Sequence, residues 1–241
     1  MTLLAHGVDT PAPLGGPSAL CDALGMQLGI IGGTGPAGRG LAVRAALAGH
    51  EVVVGSRDAE RAAGVAAEIV GRHPHHSLAI SGAANEDAAT AALVVVATPW
   101  EGAVVTAKGL AEALEGKVVV SMVNALMKEG REMLPLYPPR GSMAAQLAAA
   151  LPGSWLAAAF HHLPARDMED LDSGIEADVL VCGDHPEAKA EVGALIDTID
   201  GLRSIDAGSL AQASPIEAFT AVCITINIRH KAHSTLRLAG I

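Results

Sequence analysis

Leu28-Gly29-Ile30-Ile31-Gly32-Gly33-Thr34-Gly35-Pro36-Ala37-Gly38 is a short apolar run that breaks into a glycine-rich turn, and helix-compatible sequence follows to about Ala48. Gly33, Gly35 and Gly38 stand in GxGxxG order between strand and helix. In that context the spacing has a physical meaning. Glycine permits the tight turn, lets the backbone approach a pyrophosphate, and lets helix pack on strand, while the first helical turn offers unpartnered N–H groups and a positive dipole end. The competing reading is a turn without ligand in a chain that holds 27 glycines.

Working outward, Glu51-Val52-Val53-Val54 is a second strand, and it ends in Gly55-Ser56-Arg57 where a dinucleotide fold presents its ribose-reading residue. An NAD site usually offers an acid there. This chain offers a hydroxyl and a guanidinium, with Arg61 one helical turn beyond Arg57, a combination suited to a 2′-phosphate. At about 1.5–3 kcal/mol per charge-assisted hydrogen bond, two such contacts favour NADP over NAD by roughly 10²–10⁴ before desolvation is subtracted. The bland alternative is that Ser56 caps the next helix and both arginines are solvated.

The alternation then continues with a helix near Ala59–Gly71, a strand around Leu78–Ile80, a helix near Asp87–Ala91 and the strand Leu93–Ala97. Thr98-Pro99-Trp100 follows at a strand's carboxyl end, where open α/β sheets meet ligand; Trp100 either walls the cleft or packs in the core. Lys117–Ser121 is a further strand and leads to Asn124 on the same rim. Later, Asp178–Asp184, a helix near Pro186–Thr198 and the stretch from Ile199 to Gly208 repeat strand, helix and strand, and a largely apolar helix runs from Ser209 to about Lys231. The expected fold is α/β, a Rossmann-type doubly wound parallel sheet with a small, mainly helical C-terminal part. The expected division is a disordered extension over 1–25, an NADP-binding domain over 26–160, and a part over 161–241 that closes the cleft.

Composition excludes several classes. The 241 residues carry 16 basic and 26 acidic side chains, a formal charge of −10, and 2% aromatics, which argues against a nucleic-acid partner. The longest uncharged run, between Arg140 and Arg166, holds Pro152, Gly153, His161 and His162 and makes a poor membrane span. Cys21, Cys182 and Cys223 form no metal-spaced pair, and so few cysteines fit a reducing cytoplasm. Residues 1–25 contain no Lys or Arg and lack the basic start of a secretion signal. His73-Pro74-His75-His76 invites a metal reading, but the proline breaks the register and no carboxylate or cysteine is near, so a solvated loop and no metal is expected.

The sequence resembles the NADPH-dependent reductases of the deazaflavin coenzyme F420, also called F420H2:NADP oxidoreductases. The likeness rests on Gly32-Gly33-Thr34-Gly35 with Gly38, Gly49-His50-Glu51 through Gly55-Ser56-Arg57, Pro99-Trp100-Glu101, His161 to Pro164-Ala165, Val181-Cys182-Gly183-Asp184, and Ile199 to Arg203 with Asp206-Ala207-Gly208. It spans essentially Met26 to Ile241. The resemblance implies that Gly33, Thr34, Gly35, Pro36, Ala37 and Gly38 hold the pyrophosphate and that Ser56, Arg57 and Arg61 take the 2′-phosphate. Thr98, Pro99, Asn124 and Ala165 fall at further NADP contacts, while His161 and the tail near Leu236 line the deazaflavin pocket. It also implies reversible hydride transfer between NADP(H) and F420, and a homodimer.

Such a reaction needs neither nucleophile nor metal, because the cofactors carry the reactivity and the protein orients them. His161 is accordingly expected to position F420. Two alternatives stand beside this reading: an NADP-dependent imine or small-carbonyl reductase, and a non-catalytic NADP-sensing module. A hydroxyacid-type carbonyl reductase usually needs a lysine by the carbonyl, and of Lys108, Lys117, Lys128, Lys189 and Lys231 only the last lies in the C-terminal helical tract.

Overall fold

The structure, a computed structural model, describes residues 25–241. The expectation of disorder for the N-terminal extension therefore falls almost wholly outside the described residues. In chain order the elements are β1 (Gln27–Ile31), α1 (Pro36–Leu47), β2 (Glu51–Ser56), α2 (Ala59–Arg72), β3 (Ile80–Ala84), α3 (Asn85–Ala88), β4 (Leu93–Val96), α4 (Trp100–Gly109) and β5 (Val118–Ser121). There follow β6 (Leu126–Glu129), β7 (Glu132–Pro135), α5 (Met143–Ala150), β8 (Trp155–Ala158), α6 (Ala165–Glu169), β9 (Ala177–Gly183), α7 (Pro186–Thr198), β10 (Leu202–Asp206) and α8 (Ala213–His230).

The near-continuous apolar runs of β1, β4 and β5 are what a sheet covered on both faces requires. Eight strands form that sheet in the order β10-β9-β8-β5-β4-β1-β2-β3, with β6 and β7 a separate hairpin. From β3 to β8 every neighbour is parallel, which is the doubly wound arrangement expected from sequence. Alternate residues of each strand face opposite cores. One core joins Leu28, Ile30 and Val95 to Leu41 of α1, Ile69 of α2 and Leu195 of α7. The other joins Ile31, Val94 and Val96 to Ala103 of α4, Leu147 of α5 and Ile216 of α8.

The sheet reverses once. β9 pairs antiparallel with β8, Ala158 lying opposite Cys182, and β10 then pairs parallel with β9. By that register, the first residues of β9 lie beside the carboxyl ends of β1, β4, β5 and β8. This brings Asp178 to the rim where an open α/β sheet receives ligands.

Two local expectations shift and one alternative falls. The third strand is Ile80–Ala84 rather than Leu78–Ile80, because pairing with β2 over Val52–Ser56, not apolar content, defines this edge strand. Ser56 does not cap α2; Asp58 does, accepting from the Arg61 amide at 3.1 Å. The last helix begins at Ala213, after a 3₁₀ turn over Leu210–Gln212, and stops at His230 with Lys231 left-handed at φ 51°.

Candidate functional site

The glycine turn is fixed from within and from the side. The Gly33 amide donates to the Ile30 carbonyl at 3.0 Å and the Gly55 carbonyl at 2.9 Å, and the Gly32 amide donates to Asn85 Oδ1 at 3.0 Å. A Cβ on Gly38 would stand 2.6 Å from the Gly33 Cα, so only glycine lets α1 seat this closely on the turn. Gly32 has φ 70°, and a Cβ there would meet Thr98 Cγ2 at 2.5 Å, which ties the turn to the end of β4.

Gly35 differs from its neighbours: a Cβ on it would meet nothing within 4 Å. It is the N-cap of α1, makes no side-chain cap, and is followed by Pro36, which has no N–H to satisfy. The first turn of α1 is therefore an uncapped helix terminus facing open space, with Thr34 and Gly35 half-buried and Pro36 and Ala37 exposed. This fits a pyrophosphate without rearrangement.

Ser56 closes β2 and is buried at 8% exposure; its Oγ accepts from the Asp58 amide at 3.2 Å. Arg57 and Arg61 beside it are exposed, and among the described residues neither has a carboxylate within the 4.0 Å of an ion pair. Other arginines nearby are spent on carboxylates, as Arg39 is on Glu68 and Glu169. Two uncommitted guanidinium groups next to a hydroxyl fit a 2′-phosphate.

Across the rim, Thr98 precedes Pro99, the N-cap of α4, and its Oγ1 is buried with no partner among the described residues. Trp100 packs against the second core, the blander of its two readings. A buried polar cluster centres on His161, which is 5% exposed. Its Nδ1 lies 3.1 Å from Asn124 Oδ1, an acceptor only, so the ring proton sits on Nδ1. Asn124 Nδ2 donates to the His161 carbonyl at 3.3 Å, and the Thr220 hydroxyl of α8 reaches Asn124 Oδ1 at 3.2 Å. The His161 Nε2 lone pair is thus buried and has no partner among the described residues. Burial, reinforced by neighbouring His162, pushes its pKa down to about 3, so the ring is neutral. Just before it, Phe160 is 2% exposed and held at φ 68°, a strained conformation for a bulky residue and one that aims the His161 loop.

Ala165 opens α6, and α6 lies against α1. Arg44 of α1 is 6% exposed and donates to the carbonyls of Met168 at 3.0 Å, Asp167 at 2.7 Å, Asp170 at 2.7 Å and Ser173 at 2.8 Å. Leu236 is half-buried; its carbonyl accepts from the Asp178 amide at 2.7 Å. Asp178 in turn lines one crevice with Phe160, His161, His162 and Ile216.

The fold thus joins Gly32 to Thr98, Asn124 to His161, α6 to α1, and Leu236 to Asp178. Sequence reading missed Asn85, Thr220, Arg44 and Asp178. Each acts on a partner far along the chain, so only the polar residue after β3 left any local trace. His73 to His76 occupy the turn after α2, and among the described residues no three His, Cys, Asp or Glu side chains stand close enough to hold a metal.

Comparison with known proteins gives concordant results. The family model described as NADP oxidoreductase, coenzyme F420-dependent, matches residues 27–125. The F420-dependent NADP reductase of Methanocaldococcus jannaschii is 38% identical over 218 residues, covering 87% of this chain and 96% of that protein. The F420-dependent NADP reductase of Methanothermobacter marburgensis is 35% identical over 223 residues, 90% of this chain and 97% of that protein. A crystal structure of a protein from Arthrobacter sp. FB24 superposes with a TM-score of 0.76 at 27% identity, covering 90% of this chain and 100% of that one.

Proposed function

Since the chain belongs to the coenzyme F420-dependent NADP oxidoreductases, it is an enzyme that transfers hydride between NADPH and F420, and we propose the following division of that work among its residues. When bound, the nicotinamide and the deazaflavin supply the redox chemistry themselves, a two-electron transfer between ring carbons. What remains for the protein is to bind, orient and exclude water.

Gly33, Thr34, Gly35, Pro36, Ala37 and Gly38 hold the pyrophosphate at the uncapped terminus of α1. Ser56, Arg57 and Arg61 hold the 2′-phosphate, and Thr98, Pro99, Asn124 and Ala165 complete the NADP contacts. His161 orients F420 by accepting a hydrogen bond at Nε2. Because its ring is neutral, it acts as a positioning group and not as a general acid at neutral pH. Leu236 lines the F420 pocket. Residues 26–160 serve as the NADP-binding domain and 161–241 as the part that closes the cleft.

The observation that carries this assignment is the pairing, beside one glycine turn, of an open helix terminus with two uncommitted cations. A lysine-assisted carbonyl reductase is not favoured. No lysine lines the His161 crevice, and Lys231 is exposed at the end of α8. A non-catalytic sensor is not favoured either, since the curated relatives over nearly the full length are reductases.

The enzyme works as a homodimer in this reading. α8 exposes Phe219, Val222 and Ile226 at helical spacing, an apolar stripe suited to a second copy. Among the described residues the thiols of Cys182 and Cys223 form no disulfide, in keeping with a reducing cytoplasm. Among the described residues no helix is long and apolar enough to cross a membrane.

The direct test mixes purified protein with NADPH and oxidised F420 and follows the deazaflavin's visible absorbance. Loss of absorbance is expected; no loss, with turnover of an imine or a small carbonyl, overturns the assignment.

A further inference from the structure

We propose that Asp178 and Arg203 form a clasp that positions the C-terminal tail, and that this clasp governs F420 binding while leaving NADP binding alone. The proposal rests on the reading that the tail at Leu236 lines the F420 pocket.

Asp178 and Arg203 are register partners on β9 and β10. The Asp178 side chain is 0% exposed, and a buried carboxylate is costly unless it is fully partnered. Besides Arg203 on β10, the partners of its carboxylate come from one segment, the tail. Arg203 donates to the carboxylate side-on, from Nε at 2.8 Å and Nη2 at 2.7 Å, and the Leu238 amide donates at 2.6 Å. Arg237 Nη1 stands at 3.3 Å. The Asp178 amide reaches the Leu236 carbonyl at 2.7 Å, so this one residue grips the tail on both sides of Arg237. Arg203 adds contacts from Nη2 to the Leu238 carbonyl at 3.0 Å and from Nη1 to the Ile241 carbonyl at 2.8 Å.

Upstream, the Ser234 amide donates to Asn227 Oδ1 at 2.8 Å and His233 pairs with Asp167 at 2.6 Å. The tail is therefore tied at both ends, with Leu236 between the ties. None of the partners of Asp178 belongs to the glycine turn or to the segment from Ser56 to Arg61. Asp178 also adjoins Phe160, His161 and His162, so the residue that fixes the tail is a neighbour of the histidine assigned to F420. Arg203 holds the Asp178 carboxyl well below the usual carboxylate range, which keeps the clasp closed at any working pH.

The test measures F420 affinity by deazaflavin fluorescence, NADP⁺ affinity by calorimetry, and hydrogen exchange at the tail amides. Arg203→Met is expected to weaken F420 about tenfold, leave NADP⁺ within about twofold, and remove protection at the Leu238 amide. Arg203→Lys should restore part of the F420 affinity but not the side-on geometry. Leu238→Pro guards against misfolding of Arg203→Met, since it keeps the ion pair and deletes one tail N–H; F420 should weaken by about threefold. Equal losses for both ligands, or tail amides that exchange freely with F420 affinity intact, overturn the proposal. Leu236→Trp separates the two levels. If it leaves F420 affinity unchanged, the tail is not a pocket wall and the clasp falls with that reading; if it weakens F420 while Arg203→Met does not, only the clasp fails.

Discussion

The two ends of the rim are built on opposite principles. At one end, β1, the glycine turn, α1 and the end of β2 lie within about thirty residues of sequence, and their ligand-facing groups are open: an uncapped helix and two exposed arginines without acidic partners. At the other, His161 is buried and its surroundings come from all over the second half, with Asn124 from the loop after β5, Thr220 from α8 and Asp178 from β9. An open, charged, local site suits an ion that brings its own solvated phosphates. A buried, neutral, assembled site suits a flat ring that must be placed to within a few tenths of an ångström for hydride transfer.

If this contrast is right, damage at one end should spare the other. The largest effect is expected for Gly38→Ala, whose methyl would collide with backbone at 2.6 Å. NADP⁺ affinity should fall about tenfold to a hundredfold, with F420 affinity retained, as calorimetry with each ligand alone would reveal. Parallel loss of F420 binding would break the comparison. Next, His161→Ala should weaken F420 about tenfold and NADP⁺ far less. Unchanged turnover and unchanged F420 affinity would remove His161 from its role. Smaller again, Thr220→Val deletes the hydroxyl that shares Asn124 Oδ1 with His161 and reaches the His161 carbonyl, and through His161 it should raise the KM for F420 by about threefold with kcat for saturating F420 nearly intact.

Within the buried half, pH acts in two opposite directions. With its pKa pushed from 6.5 down to about 3, His161 favours the neutral folded form, so its contribution to stability is complete above about 6.5 and is lost as pH falls toward 3. No step from His161 should appear in the pH profile of turnover between about 5 and 8. Glu217 runs the other way. This α8 carboxylate is 5% exposed and accepts from the Met143 and Ala144 amides at the start of α5, at 2.7 and 2.9 Å, yet burial raises its pKa to about 7. A folded pKa above the ordinary 4.5 means stability that is greatest below about 4.5 and declines as pH rises through about 7. Thermal melts of Glu217→Gln should show a flatter pH dependence than wild type across that window; identical curves would show that Glu217 does not titrate there.

The same contrast explains what could be read from the sequence. β1, the turn, α1 and β2 were legible because strand, glycine spacing and the Ser56-Arg57 end are adjacent and each has a local physical cause. The apolar runs of β4, β5 and β9 gave the sheet in the same way. α5 went unread although Ser142 caps it locally, accepting from the Ala145 amide at 3.0 Å; what no local pattern shows is that its first two amides are satisfied by Glu217, 74 and 73 residues away. Also unread was α6, five residues held to α1 by carbonyl contacts from Arg44. The hairpin of β6 and β7 carries mostly exposed or half-buried residues and shows no apolar alternation. His161 and Leu236 entered only through likeness to a family, since nothing local marks a histidine whose meaning comes from Asn124, or a tail residue whose place is set by Asp178.

The most direct test of the central claim, that an open phosphate site and a buried ring site divide the work, is the ratio of kcat/KM for NADPH over NADH with F420 as acceptor, compared between wild type and Arg57→Ala/Arg61→Ala. A strong preference for NADPH that falls by about 10² in the double variant, with the KM for F420 unchanged, is the expected result. A preference that survives the loss of both arginines, or an F420 KM that moves with it, would contradict the account.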